Sequence, residues 1–319
     1  MSTLSTLIRR ALLAGAFTFH LAAAHAQSAP SQLSADTGLQ AANRQRILAL
    51  CQQLYAHGDV EQLAPLFAPN LIQHHPAIAD GRAAMLRWIA QQRAAAPSST
   101  LSVKHLIADG NMVFVQSQIS DTPQNGFSGI NRYDFYRLDH GQIVEYWSLE
   151  SPAPTSSASG NTEFNDAYPN PAAPGSVSAE RVELNRRLAK ALSEEVFGLQ
   201  NFGLLDRFWA EGYLQHNPYI GNGRAALAAV IAYIAPAGQT YRVYQALAGD
   251  DLAVVCAQNI APGGNPANAF SGTAVCDLYR LNTLQMVEHW DNWLSVPAGT
   301  ASGHSLFSHL YRAEGPGRD

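Results

Sequence analysis

The chain has 319 residues, 47% of them hydrophobic, with 20 Lys and Arg against 25 Asp and Glu. A net charge of -5 without any Lys/Arg cluster repels phosphate backbones and anionic lipid, which excludes a nucleic-acid binder and a surface held to membranes by charge. Three cysteines without metal-ligand spacing exclude a zinc module.

In chain order, residues 1–26 come first. Arg9 and Arg10 precede an apolar run from Ala11 to Ala24, and Ala24-His25-Ala26 closes it with small residues around one variable position. That is the pattern of a secretory signal peptide, too short for a membrane span of about 20 residues. Cleavage after Ala26 leaves an exported protein, periplasmic or secreted and without a membrane anchor. Loss of Arg9 and Arg10 leaves it 18 basic against 25 acidic residues. The paired arginines admit either the general or the twin-arginine export route.

The rest of the chain is a duplication. LIQHHPAIADGRAAMLRWIAQQ (71–92) returns as YLQHNPYIGNGRAALAAVIAYI (213–234), and FSGINRYDFYRLDHGQIVEYWS (127–148) returns as FSGTAVCDLYRLNTLQMVEHWD (270–291). The copies occupy residues 38–150 and 178–297, each the size of an ordinary domain. Between them lies a Pro/Ser/Asn-rich stretch, 151–177, whose composition predicts a flexible linker, and 298–319 forms a C-terminal tail.

Within each copy the hydrophobic period changes in a fixed order. Ile47, Leu50, Cys51, Leu54 and Tyr55, then Met85, Trp88 and Ile89, fall at helical spacing; Leu192, Val196 and Phe197, then Leu227, Val230, Ile231 and Ile234, answer in the second copy. Four strand-like runs come next in each: 101–108, 112–120, 127–138 and 142–150, then 240–248, 252–260, 269–281 and 284–294. Helices first and a strand meander afterwards predict an α+β domain, its helices packed on one face of a curved antiparallel sheet. Cys256 and Cys276 fall on neighbouring predicted strands, where either a cross-strand bridge or two buried thiols fits the spacing.

Strand alternation puts His289, Asp291 and Trp293 on one side of the last strand and Glu288, Trp290 and Asn292 on the other. If the first set faces the hollow of the sheet, an acid and an imidazole sit together beside an aromatic wall. Burial raises such an Asp and a protonated His lowers it again, the opposed shifts that acid–base chemistry uses. The alternative is a structural Asp pairing with an arginine. His289 and Asp291 with His216 would also supply the ligand set of a non-haem iron site.

The order QHNP, glycine turn and helix, D-x-Y-R-L strand and VEHWD strand resembles the SnoaL-like polyketide cyclases of the nuclear-transport-factor-like superfamily, in both halves. The resemblance implies two tandem cone-shaped domains, each a bent sheet around N-terminal helices with an apolar pocket, paired through their outer sheet faces into an intramolecular pseudo-dimer. It implies a site without metal or cofactor that takes a small apolar carbonyl compound. Asp291 is then the acid/base, and His289 orients the substrate or polarises a carbonyl. Gln215, His216, Tyr213 and Trp293 contact the ligand, although His216 also fits a loop anchor before Pro218. In the first copy Gln73 and His74 are kept, while Tyr146 and Ser148 stand at the positions of His289 and Asp291, which predicts a degenerate site. A non-catalytic ligand-binding protein is the competing reading, because a fold does not determine a function.

Overall fold

The computed structural model describes residues 29–308 apart from His57; the signal-peptide reading and residues 309–319 of the tail lie outside the described residues. Among the described residues no helix is long and apolar enough to cross a membrane.

The first domain starts with helix α1 (Ala29–Leu54), whose Ile47, Leu50, Cys51 and Leu54 are buried at the predicted spacing. A 3-10 turn (Val60–Leu66) leads to strand β1 (Phe67–Gln73) and helix α2 (Arg82–Ala95). Strands β2 (Thr100–Asp109), β3 (Met112–Ser120), β4 (Ile130–Asp139) and β5 (Gln142–Pro152) complete it. The second domain repeats the order with α3 (Ala179–Ser193), α4 (Leu205–Phe208), β6 (Trp209–Gln215) and α5 (Arg224–Ile234). Its meander is β7 (Thr240–Gly249), β8 (Leu252–Ile260), β9 (Thr273–Asn282) and β10 (Gln285–Ser295).

The sheets run β1-β5-β4-β3-β2 and β6-β10-β9-β8-β7. They are mixed rather than wholly antiparallel: β1 pairs parallel with β5, and β6 with β10. Neither short strand is predicted from the sequence, because FAPNLIQ and WAEGYLQ lack clean alternation and the first carries Pro69. Irregularities between Val103 and His105 and between Val243 and Gln245 interrupt the meanders at matching places and bend them.

The loop after β1 and the loop after β6 close identically. Gly81 and Gly223 adopt φ of 95° and 94°, a conformation that side chains resist, and their N–H groups donate to Leu71 O and Tyr213 O. Asp80 and Asn222 accept the N–H of Gln73 and Gln215 at 2.8 and 2.9 Å. This fixes the QHxP segment against the last strand of its own sheet.

Each domain has a core between helices and sheet, and a third apolar core lies between the two sheets. There Ile107, Phe114, Phe135 and Trp147 meet Leu247, Val254, Leu278 and Trp290. Cys256 and Cys276 face each other in the β8–β9 register and form a disulfide inside this core. Cys51 stays a buried thiol, pushed up to about 12 by burial.

The linker has no helix or strand through residues 153–177, but it is anchored rather than flexible. Its Ala158 N–H donates to Pro218 O, Thr162 O accepts from His216 Nδ1 at 2.6 Å, and Asn165 O accepts from Trp290 Nε1 at 3.1 Å. The segment after β10 returns the same contacts to the first domain. Ala301 N–H donates to Pro76 O, Ser305 O accepts from His74 Nδ1 at 2.8 Å, and Ser308 O accepts from Trp147 Nε1 at 3.3 Å. The two domains therefore exchange arms. The repeat continues into them, SGNTEF (159–164) against SGHSLF (302–307), so part of what composition labels a linker belongs to the copy.

Candidate active site

The parallel pairing of β6 with β10 sets Gln215 opposite His289. The His289 ring is buried, with Nδ1 2.6 Å from Gln215 Oε1 and Nε2 3.0 Å from Asp277 Oδ1. Gln215 Oε1 also accepts the backbone N–H groups of His216 and Asn217, both at 3.1 Å, so the atom facing His289 is the amide oxygen and Nδ1 carries a proton. Asp277 Oδ2 accepts from Tyr241 OH at 3.1 Å, and Asp291 Oδ2 accepts from Asn217 Nδ2 at 2.6 Å. Tyr213 and Tyr279 flank the imidazole at ring distances of 6.2 and 5.0 Å.

This enclosure sets the electrostatics. Burial works against a charged His289, but the Asp277 hydrogen bond and the fields of Asp291 and Asp277 outweigh it, so the imidazole titrates above its ordinary value. Burial pushes the Asp291 carboxyl upward; His289 and Asn217 pull it down and Asp277 adds to the rise, leaving it raised. The arrangement is an imidazole clamped between an amide and a carboxylate, next to a carboxyl whose proton affinity is increased.

Asp291, His289, Gln215 and Tyr213 thus come together. Trp293 lies further along the same face of β10 and is 48% exposed, and Tyr219, in the loop after β6, is 75% exposed. His216 does not join them. Strand alternation turns it to the opposite side of the sheet, where it stacks on Trp290 with centroids 4.6 Å apart and bonds to Glu288 Oε1 at 2.9 Å. An iron site using His216 is excluded by the same placement. His289 corrects a second expectation: both of its ring nitrogens are held by protein groups, so it is not free to polarise a carbonyl.

Asp277 and Asn217 were missed by sequence reasoning. The signal for Asp277 was present, since D-x-Y-R-L occurs in both copies and its acid points the same way in each. In the first domain the equivalent Asp134 accepts from Tyr146 OH at 2.7 Å and Tyr136 OH at 3.2 Å, with Ser148 buried nearby. Burial raises Asp134 as well. Gln73 there turns to Met85 Sδ, and His74 repeats the role of His216, stacked on Trp147 and bonded to Glu145. A phenol replaces the imidazole, and no second carboxyl stands where Asp291 does.

Asp277, His289 and Asp291 bring ligand atoms within 4.8 Å of one another and are the group among the described residues that could hold a metal ion. Two surface hollows of about 250 and 370 Å³ lie elsewhere, beside Arg93 and Arg82 on the helical side of the first domain.

Two packed α+β units share this strand order, and an acid–imidazole cluster lies inside the second. Residues 47–146 match the model of the SnoaL-like domain family, and the second half repeats the first in sequence and strand order. Solved structures similar to it include wild-type IdmH from Streptomyces antibioticus, at 22% identity over 34% of this chain and 91% of that one, TM-score 0.30. An NTF2-like protein of unknown function from Mesorhizobium loti matches at 18% identity over 37% and 98%, TM-score 0.32. A SnoaL-like protein of unknown function from Burkholderia thailandensis matches at 12% over 35% and 96%, TM-score 0.30. No curated protein matches the chain.

Proposed function

We propose that the second domain catalyses cofactor-independent proton transfer at carbon on a small, largely apolar carbonyl compound, in an exported protein. Asp291 takes the proton alpha to the carbonyl; the C–H electron pair becomes the enolate double bond, and the negative charge moves to the carbonyl oxygen. His289, held by Gln215 and Asp277 with its proton affinity raised, lowers the energy of that charge through its field when protonated. Return of the proton to another carbon gives an isomerase, and attack of the enolate on a second carbonyl of the same molecule gives an aldol cyclase.

The observation that carries this reading is the Asp291 carboxyl, raised by burial and held by Asn217 beside the clamped imidazole. Two exposed aromatics agree with it: Tyr219 and Trp293 stand where the first domain has Ala77 and Glu150. The engagement of both His289 nitrogens favours a second reading, a non-catalytic small-ligand-binding protein. One experiment separates the two. The mature protein is mixed with 1,3-diketones in deuterated water and loss of the alpha-proton NMR signal is followed. Exchange in wild type that is lost in Asp291→Asn supports the enzyme, and no exchange above buffer rejects it.

A further inference from the structure

The exchanged arms are alike in backbone contacts and unlike at one buried position. Thr162 O and Ser305 O accept equivalent histidine bonds, and the next residue is Glu163 in one arm and Leu306 in the other. Both are buried, 7% and 3% exposed. A leucine suits the apolar space between the sheets, whereas a carboxylate there needs a cation or several donors. Glu163 has neither: its Oε2 is buried without a hydrogen-bond partner, and Asn131 is the side chain that bonds to the group.

Asp291 of β10 and Tyr133 of β4 interact electrostatically with it, while Lys104 and His105 of β2 contact its neighbours Phe164 and Asp166. Lys104 lies over Phe164, His105 bonds Gln116 and Asp166, and the Tyr133 hydroxyl is itself buried without a partner. Arg280 of β9 is committed elsewhere, to Glu288, Asp251 and Asp166. An ionised Glu163 would therefore stand uncompensated, in the field of Asp291.

We propose that Glu163 is a positioning residue of the second-domain site: as a neutral acid it keeps the first domain's arm seated behind β10, and its ionisation unseats that arm. The arm holds Glu288 and Trp290, which flank His289 on β10, and His216, which follows Gln215 at the end of β6, so its release loosens the clamp from the far side of the sheet. Burial first and the Asp291 charge second push Glu163 up to about 8, so the seating weakens as pH rises from the ordinary glutamate value, 4.5, through that value. Only the effect on turnover rests on the proton-transfer reading; the arm's seating does not.

The test is amide hydrogen exchange on the full mature chain at pH 6 and pH 9, expressed as protection so that intrinsic pH effects cancel. Ala158, Ala167 and Tyr168 report the Glu163 arm, and Ala301 reports the Leu306 arm as an internal control. Wild type is expected to lose at least about tenfold in protection at the first three relative to Ala301. E163Q and E163L are expected to keep it. Asp291→Asn removes a repelling charge from the seated, ionised acid and is expected to make the loss smaller. Equal losses in both arms, no loss in wild type, or the same loss in E163Q overturns the proposal. If the protein turns over a diketone, the alkaline fall in rate tracks arm protection in wild type and is absent in E163Q. A chain without turnover that shows the arm transition refutes the catalytic reading alone.

Discussion

Gln215 and His289 are 74 residues apart in sequence and 2.6 Å apart in space, joined by a hydrogen bond whose direction two backbone N–H groups determine. Because the amide oxygen is committed to accept, Nδ1 must donate, and the other face of the imidazole is left to Asp277. The Nδ1 proton of His289 is thus held by a main-chain turn. Replacing Gln215 by leucine removes that acceptor while keeping the size, and the His289 titration followed by NMR is expected to move to lower pH. An unchanged titration would mean that Gln215 does not hold the proton.

Asp291→Asn keeps a side chain of the same shape that cannot take a proton. The alpha-proton exchange rate is expected to fall by about 10²–10⁴ fold, the usual contribution of a positioned general base. Tyr146→Phe in the first domain, measured in the same assay, is expected to leave the rate within about twofold, since that copy has no acid at Ser148.

The same substitution at Asp291 is expected to change stability with a definite sign. A carboxyl raised in the folded state is stabilised as the neutral acid, so its contribution falls as pH rises from the unfolded value, 3.8, through its raised folded value. Asp291→Asn should melt above wild type at pH 7 and lose that advantage near pH 4, as read by thermal unfolding across pH. His289 acts in the opposite chemical sense. Its raised value stabilises the fold below the ordinary histidine range, and that contribution disappears as pH rises through the folded value, so His289→Gln should cost most at pH 5 to 6.

The Cys256–Cys276 bridge closes a sequence separation of 20 residues inside the core between the sheets. Replacing the pair by Ala and Val is expected to cost about 3 kcal/mol, within the range for a loop of that length, measured by urea unfolding. Both cysteines are buried, so native protein should resist a reductant that cleaves the bond once urea is present.

Trp147 is fully buried, stacks on His74 at 4.5 Å and donates to Ser308 O in the exchanged arm. Trp147→Ala is expected to destabilise by about 3–5 kcal/mol, the range for a buried aromatic. A loss under about 1 kcal/mol would mean that the sheets do not depend on this contact.

Local and repeated features were legible in the sequence alone. The two copies, the helices from Ile47 to Leu54 and from Met85 to Ile89, the four meander strands and the facing of His289 with Asp291 all come from period and internal identity, which neighbouring residues set. Contacts between distant segments settled the rest. The short parallel strands β1 and β6 gain their backbone partners from β5 and β10, more than about 70 residues away, so their own pattern was too weak to announce them. His216 sits one residue beyond Gln215, and that single step turned it from the acid cluster to the arm on the far side. The arms look like linker because polar, small residues lack a period; their order comes from carbonyls that accept bonds from histidine and tryptophan on the other domain, a partnership no local window contains.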